Sequence, residues 1–296
     1  MNRRNFLRWL GGIALSGAAM TGYAFGIEPG LLLRVQRYAP ALPHWPSDFK
    51  LRIAVLADIH VGEPYMSLRH VERIVETANA LKPDLILMLG DYAAGHHWVT
   101  RKATIKDTAA VLTGLKAPLG AHAILGNHDW WDDKKAQRRR AGPCLYRTAL
   151  EDAGFPVYEN DGVRLTHKDR PFWLMGLADQ VAFIDGRNRF TGLDDLDGTL
   201  AKVTDDAPVI LMIHEPDAFT KVPSRVALTL AGHTHGGQVR LFGYSPVVPS
   251  AYGNRFAYGH VVEDDRHLIV SGGLGCSIVP VRFGVPPEIN LIELGA

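Results

Sequence analysis

Residues 51–60 read LRIAVLADIH, an apolar run that stops at an acidic residue and a histidine. The aliphatic and β-branched side chains from Leu51 to Ala57 predict a buried strand. Asp58 follows that strand directly, and His60 comes two positions later. Carboxylate and imidazole groups are both common ligands of first-row metal ions, so the end of this strand is a candidate metal site.

The same arrangement occurs at four more predicted strands. The runs and the residues that follow them are Leu85–Leu89 before Asp91, Ala121–Leu125 before Asn127, Val209–Ile213 before His214, and Ala227–Leu230 before His233 and His235. Apolar residues at helical spacing over Leu68–Leu81 and Thr104–Leu115 predict helices between strands. Interleaved strands and helices predict an α/β domain, in which sites form beyond the carboxyl ends of the strands. We therefore expect the five clusters to meet at one edge.

Together the strand ends supply two carboxylates, one amide oxygen and four imidazoles, from Asp58, His60, Asp91, Asn127, His214, His233 and His235. Nitrogen and oxygen ligands without thiolate suit Mn²⁺, Fe or Zn²⁺ rather than Cu(I) or an iron–sulfur cluster. Seven ligands exceed the needs of one tetrahedral ion and match two ions that share a carboxylate. Two such ions activate water and clamp the oxygens in a phosphoryl displacement, so the residues alone predict a dinuclear metal hydrolase.

Composition excludes several other classes of protein. The chain has 296 residues, of which 47% are hydrophobic and 21% charged, and this excludes a disordered chain or a polytopic membrane protein. The chain has 32 lysine and arginine residues and 31 acidic residues. Its formal charge of +1 therefore lacks the excess of basic residues that is typical of nucleic-acid-binding proteins. Cys144 and Cys276 cannot form a thiolate zinc site, and a single bridge between them is left open.

The first 26 residues predict a targeting or anchoring segment. Arg3, Arg4 and Arg8 form a basic head, and no charged residue occurs from Trp9 to Phe25. Paired arginines before a short apolar run are typical of a twin-arginine secretory signal. Because the run also approaches the lower length limit for crossing a bilayer, residues 1–26 are interpreted as a signal peptide or a membrane anchor. Both interpretations predict export, to the periplasm or the outer face of the cytoplasmic membrane.

The rest of the chain divides into a connector and one domain. Residues 27–49 contain Pro29, Pro40, Pro43 and Pro46, and they predict an extended connector with an edge strand near Leu31–Gln36. Residues 50–296 contain no second linker and no repeat, so they predict a single domain.

The strand-end clusters also resemble a known family. In chain order they are Asp58-x-His60, Gly90-Asp91, Gly126-Asn127-His128-Asp129, His214 and Gly232-His233-x-His235. This ordered set resembles the calcineurin-like metallophosphoesterases. The segments Tyr252-Gly253 and Arg282-Phe283-Gly284 resemble the exported bacterial phosphodiesterase branch of that family. The resemblance implies a four-layer α/β/β/α sandwich with two mixed β-sheets.

The resemblance further implies a role for each residue of the clusters. The first metal ion would be held by Asp58, His60 and His235, the second by Asn127, His214 and His233, and Asp91 would bridge the two. His128 would be the general acid or a donor to a phosphoryl oxygen, and Asp129 would orient His128 or brace the loop. Mn²⁺ is the expected ion, with Fe, Zn²⁺ and Co²⁺ as alternatives.

Three functions stay open at this point. The first is a phosphodiesterase that acts on a small-molecule, lipid or cell-envelope phosphoester, with a metal-bridging hydroxide as nucleophile and His128 as general acid. The second is a membrane-associated pyrophosphatase of the UDP-diacylglucosamine type, although export would put nucleotide-linked precursors of the cytoplasm out of reach. The third is a non-catalytic scaffold that binds phosphorylated ligands, against which the complete ligand set and His128 argue. No feature of the sequence indicates an oligomeric state.

Overall fold

Regular structure covers most of residues 2–295, which a computed structural model describes. The helices are α1 (Arg3–Gly22), α2 (Glu28–Leu31), α3 (Leu68–Ala80), α4 (Ile105–Leu112), α5 (Asn127–Asp132), α6 (Lys134–Arg139), α7 (Leu145–Asp152) and α8 (Leu196–Leu200). The strands are β1 (Arg34–Tyr38), β2 (Leu51–Leu56), β3 (Gly62–Glu63), β4 (Leu85–Met88), β5 (Gly95–His96), β6 (Arg101–Lys102), β7 (Ala121–Ala123), β8 (Asp161–His167), β9 (Arg170–Gly176), β10 (Phe183–Gly186), β11 (Arg189–Thr191), β12 (Val209–Met212), β13 (Leu228–Ala231), β14 (Gly259–Glu263), β15 (Arg266–Val270), β16 (Ser277–Ile278) and β17 (Glu288–Leu294).

Two mixed β-sheets form the centre of the fold. The first has five strands in the order β1-β17-β2-β4-β7, and only its β17–β2 pair is antiparallel. The second has six strands in the order β14-β15-β13-β12-β9-β8, with antiparallel pairs at its two ends. Helices α3 and α4 connect β2, β4 and β7, and such crossovers return the chain in the same direction, which makes these neighbours parallel.

The apolar side chains of both sheets alternate between two faces. Ile53 of the first sheet and Ile210 of the second belong to one core between the sheets. Leu56 lies on the other face of the first sheet and packs with residues of α3 and α4. Leu211 lies on the outer face of the second sheet, where it packs with Phe219 of the 3₁₀ segment Pro216–Lys221. The layers are therefore helix, sheet, sheet and helix, which confirms the predicted α/β/β/α sandwich.

The observed elements lie close to the predicted ones and differ at their ends. The helix predicted over Thr104–Leu115 is α4, which starts one residue later because the Thr104 hydroxyl accepts the backbone N–H of Asp107 as an N-cap, 3.1 Å away. The strand predicted over Ala227–Leu230 is β13, shifted by one residue. Cys144 and Cys276 are both buried and free.

The segment 27–49 carries more structure than its proline content predicts. A π-helical turn at Tyr23–Ile27 joins α1 to α2, and β1 is the edge strand of the first sheet, paired in parallel with β17. The guanidinium of Arg34 lies 2.6 Å from the buried carboxylate of Glu288. Beyond β1 the chain extends, yet Trp45 and Phe49 are buried in the core between the sheets. Residues 27–49 thus pack against the domain along most of their length.

Helix α1 differs from the other helices in its exposure. None of its residues is buried, although the helix is rich in apolar side chains. Within the described residues, one helix, Arg3–Leu31 with its π-helical turn, is long and apolar enough to cross a membrane by length and composition.

Candidate metal centre

The loops that follow β2, β4, β7, β12 and β13 meet at one edge of the two sheets. His60 Nε2, from the first sheet, lies 3.1 Å from His235 Nε2, from the second. Asn127 Oδ1, after β7, lies 2.9 Å from His233 Nδ1 and 3.2 Å from His214 Nε2. Within each sheet these strands run parallel to one another, so their carboxyl ends point to the same edge.

The structure brings all seven predicted ligand residues together in two overlapping groups. One group offers ligand atoms of Asp58, His60 and His235, all within 4.8 Å of one another. The other offers those of Asp58, Asp91 and His214 within the same limit. The side chains of Asn127 and His233 join the second group through the contacts of the Asn127 oxygen.

Two buried carboxylate oxygens of this cluster lack a hydrogen-bond donor in the protein. Asp58 Oδ2 and Asp91 Oδ2 are both buried and accept no hydrogen bond from the protein. Asp91 Oδ2 lies 3.3 Å from His214 Nε2 and 3.5 Å from His60 Nε2. A buried carboxylate oxygen without a donor is costly unless a cation or hydrogen bond compensates it.

The hydrogen bonds of two histidines determine which ring nitrogen faces the cluster. His60 Nδ1 lies 2.6 Å from the carbonyl oxygen of Ala93, and His214 Nδ1 lies 2.7 Å from that of Leu89. Because a carbonyl only accepts, each Nδ1 carries a proton and donates it, so in the neutral ring the Nε2 lone pair faces the cluster. Burial lowers the pKa of His214, but the negative charge of Asp91 outweighs this and holds that pKa well above its usual value, so a metal ion at this ring would replace its Nε2 proton. Lone pairs and unpaired carboxylate oxygens that face one another fit divalent metal ions.

Burial and neighbouring charges shift the pKa values of these groups. Burial lowers the pKa of His60 to about 3 and that of His235 well below its usual value, so both rings are neutral at pH 7, as metal ligands must be. Burial raises the pKa of Asp58 to about 7, and the negative charge of Asp91 adds to this. For Asp91, burial also raises the pKa, but the nearby His214 outweighs it and the pKa falls well below its usual range.

The backbone of the cluster is unusual. A left-handed backbone conformation, with φ between 48° and 69°, occurs at Asp58, His60, Asp91, His233 and His235. This conformation is uncommon for residues other than glycine, and such strain concentrates at functional sites. A Cβ atom on Gly126 would lie 2.3 Å from Asp91 Oδ1, and one on Gly232 would lie 2.7 Å from Asp58 Oδ2. Only glycine at these two positions leaves room for the carboxylates of Asp91 and Asp58.

Asp129 holds the loop that carries Asp91. Its Oδ2 accepts the backbone N–H groups of Asp91 (2.9 Å) and Gly126 (3.0 Å), and its Oδ1 accepts those of Tyr92 (2.8 Å) and Ala93 (3.0 Å). The carboxylate is fully buried. Of the two roles considered for Asp129, these contacts match a brace for the loop rather than a partner of the His128 ring.

His128 lies at the edge of the cluster. A ligand atom of its ring lies within 4.8 Å of those of His60 and Asp91. Its Nε2 lies 3.1 Å from the hydroxyl of Ser277, and its backbone N–H donates to Asp91 Oδ1, 2.8 Å away. Burial lowers the pKa of the ring.

The structure adds Glu215 and Ser277, which the sequence patterns did not single out, and it places Arg282 of the Arg282-Phe283-Gly284 segment beside the cluster. Glu215 places a carboxylate oxygen within 4.8 Å of ligand atoms of His214 and His233, and its position directly after His214 was the available signal. Ser277 contacts His128 from a distant segment. The buried guanidinium of Arg282 donates to the carbonyl of Gly272, 2.8 Å away, and its Nη2 lies 3.2 Å from His235 Nδ1.

A cleft of about 480 Å³ opens on this cluster. Asp91, Asn127 and His128 line its inner end. Its walls are largely apolar and include Trp131, Val239, Val247, Ile278, Val279 and Val281. The cleft therefore joins a polar, metal-ligating end to an apolar chamber, which suits a ligand with a charged and an apolar part.

Comparisons with known proteins agree with this geometry. Residues 51–237 match the family model described as calcineurin-like phosphoesterase. The chain is 32% identical to the uncharacterized metallophosphoesterase YkuE of Bacillus subtilis, over 99% of this chain and 98% of that protein. It is 26% identical to the phosphodiesterase YaeI of Escherichia coli, over 99% of both chains. It is also 27% identical to a transmembrane protein with metallophosphoesterase domain of Bos taurus, over 94% of this chain and 60% of that protein.

The brace formed by Asp129 predicts the effect of one isosteric change. In Asp129→Asn the amide nitrogen turns its own N–H groups toward backbone N–H donors, so the loop that carries Asp91 loosens. We expect the affinity for Mn²⁺ to fall by about 10- to 100-fold, the usual effect of losing a group that supports metal ligands. Isothermal titration calorimetry measures this change, with circular dichroism to check the fold.

Asp132→Asn is the matched control because it lies on the same helix. The Asp132 carboxylate contacts Lys102 and Tyr146 at the surface and no backbone of the Asp91 loop. Mn²⁺ affinity should be unchanged in this variant. An Asp129→Asn chain that binds Mn²⁺ as tightly as the unmodified chain contradicts the bracing role.

Proposed function

The chain belongs to the calcineurin-like phosphoesterase family, and on that premise we propose that it is a phosphodiesterase that hydrolyses P–O bonds with two divalent metal ions. The carrying observation is the pair of buried carboxylates of Asp58 and Asp91, which lie beside imidazole nitrogens and each leave one oxygen without a protein donor, with Asp91 lining the cleft. The relative named a phosphodiesterase supports a diester rather than a monoester substrate.

The residues of the cluster divide between two ions in this proposal. Asp58, His60 and His235 would hold one ion, Asn127, His214 and His233 would hold the other, and Asp91 would be shared. Bound there, divalent ions would supply a nucleophile at neutral pH and stabilise charge on the phosphoryl oxygens. Nitrogen and oxygen donors without sulfur favour Mn²⁺ in this proposal, with Fe, Zn²⁺ and Co²⁺ as alternatives.

His128 is the proposed proton donor to the leaving group. It lies where the ligand cluster meets the cleft, with Nε2 beside the Ser277 hydroxyl. Burial lowers the pKa of the free ring, whereas the negative charge of Asp91 raises it. An anionic phosphoester in the cleft adds a further negative charge and so favours the protonated, acidic form of the ring.

The walls of the cleft point to the class of substrate. Trp131, Val239, Val247 and Ile278 offer an apolar surface next to the ligand cluster, so a lipid or cell-envelope phosphoester fits better than a wholly polar one. The same walls suit the acyl chains of a UDP-diacylglucosamine-type substrate, and a pyrophosphatase of that type is the second candidate, which requires the domain to stay on the cytoplasmic side of the membrane. A non-catalytic scaffold needs neither a complete set of ligands nor His128.

Residues 1–26 are proposed to direct twin-arginine export and then to remain as a membrane anchor. The end of the long helix packs on the domain: the backbone N–H of Arg282 donates to the carbonyl of Ala24, 2.9 Å away, and Tyr23 contacts Phe283 edge to face. Ala24 is buried. Cleavage near Ala24 would remove these contacts, so they favour retention.

Hydrolysis of a soluble diester tests the activity and the role of His128. The full chain in detergent with Mn²⁺ should hydrolyse bis-p-nitrophenyl phosphate. We expect His128→Ala to lower kcat by about 10²- to 10⁴-fold, the usual contribution of a general acid, while metal content stays unchanged. Steady-state kinetics and inductively coupled plasma mass spectrometry measure the two quantities.

His97→Ala is the matched control, because His97 is an exposed histidine on a nearby loop outside the ligand cluster. Its kcat and metal content should match those of the unmodified chain. Loss of metal from His128→Ala would assign that residue to the ligands instead. A chain inactive with Mn²⁺, Fe, Co²⁺ and Zn²⁺ would overturn the enzymatic proposal.

Substitution of the paired arginines tests the route of export. Because the twin-arginine pathway reads the pair itself, Arg3→Lys combined with Arg4→Lys should keep the domain inside the cell although the charge is conserved. Protease treatment of spheroplasts should digest the exported domain of the unmodified chain and spare that of the variant. Arg8→Lys serves as the control and should be exported. Equal digestion of both chains would exclude the twin-arginine route.

A further inference from the structure

A tight turn carries apolar side chains into solvent beside the mouth of the cleft. The turn is Leu241–Tyr244, closed by hydrogen bonds of 2.9 Å between the backbone N–H and carbonyl groups of its two end residues. The Phe242 side chain at its tip is fully exposed, and those of Leu241 and Tyr244 are exposed too. Contiguous exposed apolar side chains mark interaction sites on proteins.

The backbone conformation of the turn is unfavourable for a phenylalanine at position 242. Phe242 and Gly243 both have positive φ, 51° and 83°, as a type I′ turn requires, and such turns favour Asn, Asp and Gly. Two other two-residue turns with positive φ carry Lys168-Asp169 and Asp264-Asp265. A phenylalanine in this position is unfavourable both for the backbone and for contact with water. Local folding therefore does not account for it.

The apolar surface continues from the turn to the cleft. Val247 and Ile278 are both strongly exposed, and both line the cleft. Gln238, which precedes the turn, holds the segment that contains Ile278. Its side chain donates to the Val279 carbonyl at 3.0 Å and accepts the Ser277 N–H at 2.6 Å. We call the five side chains Leu241, Phe242, Tyr244, Val247 and Ile278 the apolar rim.

The long apolar helix leaves the domain next to this rim. Phe283 pairs with the strand segment that leads into the turn: its N–H donates to Gln238, and its carbonyl accepts from Arg240, each at 2.8 Å. On its other side the Phe283 ring contacts Tyr23, with 6.0 Å between ring centres. Phe283 therefore links Tyr23, the residue that follows α1, to the strand segment at the base of the rim. When α1 is inserted in a bilayer, as proposed above, its domain end lies beside the rim.

We propose that the apolar rim docks onto the lipid bilayer and turns the mouth of the cleft toward the membrane. Phe242 and Leu241 would enter the boundary between head groups and acyl chains, and Tyr244 suits the same depth because its ring is apolar and its hydroxyl polar. The proximity of α1 favours lipid over a protein partner. Docking does not require catalysis, but it would give a lipid phosphoester a direct path to the apolar walls.

A fluorescent label at the tip of the turn tests the contact. Phe242→Cys in the full chain is labelled with a nitrobenzoxadiazole maleimide and reconstituted in phosphatidylethanolamine–phosphatidylglycerol vesicles. Cys144 and Cys276 are buried, and burial raises the pKa of both thiols, so neither competes for the label. Lipids that carry a doxyl quencher should remove most of the emission.

Lys168→Cys is the matched control because Lys168 is the first residue of a two-residue turn in which both residues have positive φ, as in the turn of Phe242. Its label should stay in water and keep its emission. A label at residue 242 that is equally exposed to water overturns docking, as does equal quenching at both positions. A label shielded from water but not quenched by doxyl lipid identifies a protein neighbour, a second copy included, and also overturns it.

Enzyme kinetics provide a second measurement. Leu241→Ser combined with Phe242→Ser should leave hydrolysis of bis-p-nitrophenyl phosphate unchanged, since neither residue lines the cleft. Turnover of a lipid phosphodiester presented in vesicles should fall about tenfold or more, because the variant lacks two apolar side chains that docking would bury in the bilayer. Equal turnover of the lipid by both chains contradicts the inference. If the unmodified chain hydrolyses neither substrate, the proposed function fails while the fluorescence result stands.

Discussion

Two buried carboxylates, Asp58 and Asp91, face a set of imidazole nitrogens where the two sheets meet, and each leaves one oxygen without a protein donor. Burial of unpaired charge opposes folding unless a cation compensates it. The surrounding structure keeps these groups in place in spite of that cost. Asp129 satisfies four backbone N–H groups around the Asp91 loop, and left-handed backbone at the ligand residues turns the side chains inward.

The sandwich explains how such an arrangement is held. Parallel strands from both sheets end at one edge, so short loops from five strands reach the same point. The rigid, apolar core between the sheets fixes the strand ends, and the strain is confined to the turns. The cleft continues outward from this edge to the apolar rim. Ligand cluster, cleft and apolar rim thus form one continuous path.

Sequence patterns predicted the parts of the fold that depend on neighbours in the chain. The apolar run before Asp58 specifies β2, because its side chains other than Arg52 are buried, as suits a strand covered on both faces. Residues 27–49 were expected to form an extended connector with an edge strand near Leu31–Gln36, and β1 is an edge strand at Arg34–Tyr38. Its pairing with β17 and the burial of Trp45 in the core could not be predicted, since both depend on partners far along the chain. The brace made by Asp129 and the contact of Ser277 with His128 could not be predicted for the same reason.

The number of metal ions bound per folded chain tests this view of the centre most directly. Equilibrium dialysis against Mn²⁺, followed by inductively coupled plasma mass spectrometry, measures it without reference to substrate. Two ions per chain are expected at saturation, and Asp91→Asn should bind fewer at the same concentration, because the shared carboxylate is lost. A chain that saturates at one ion or none, or an Asp91→Asn variant that binds two ions as tightly, would contradict a dinuclear centre.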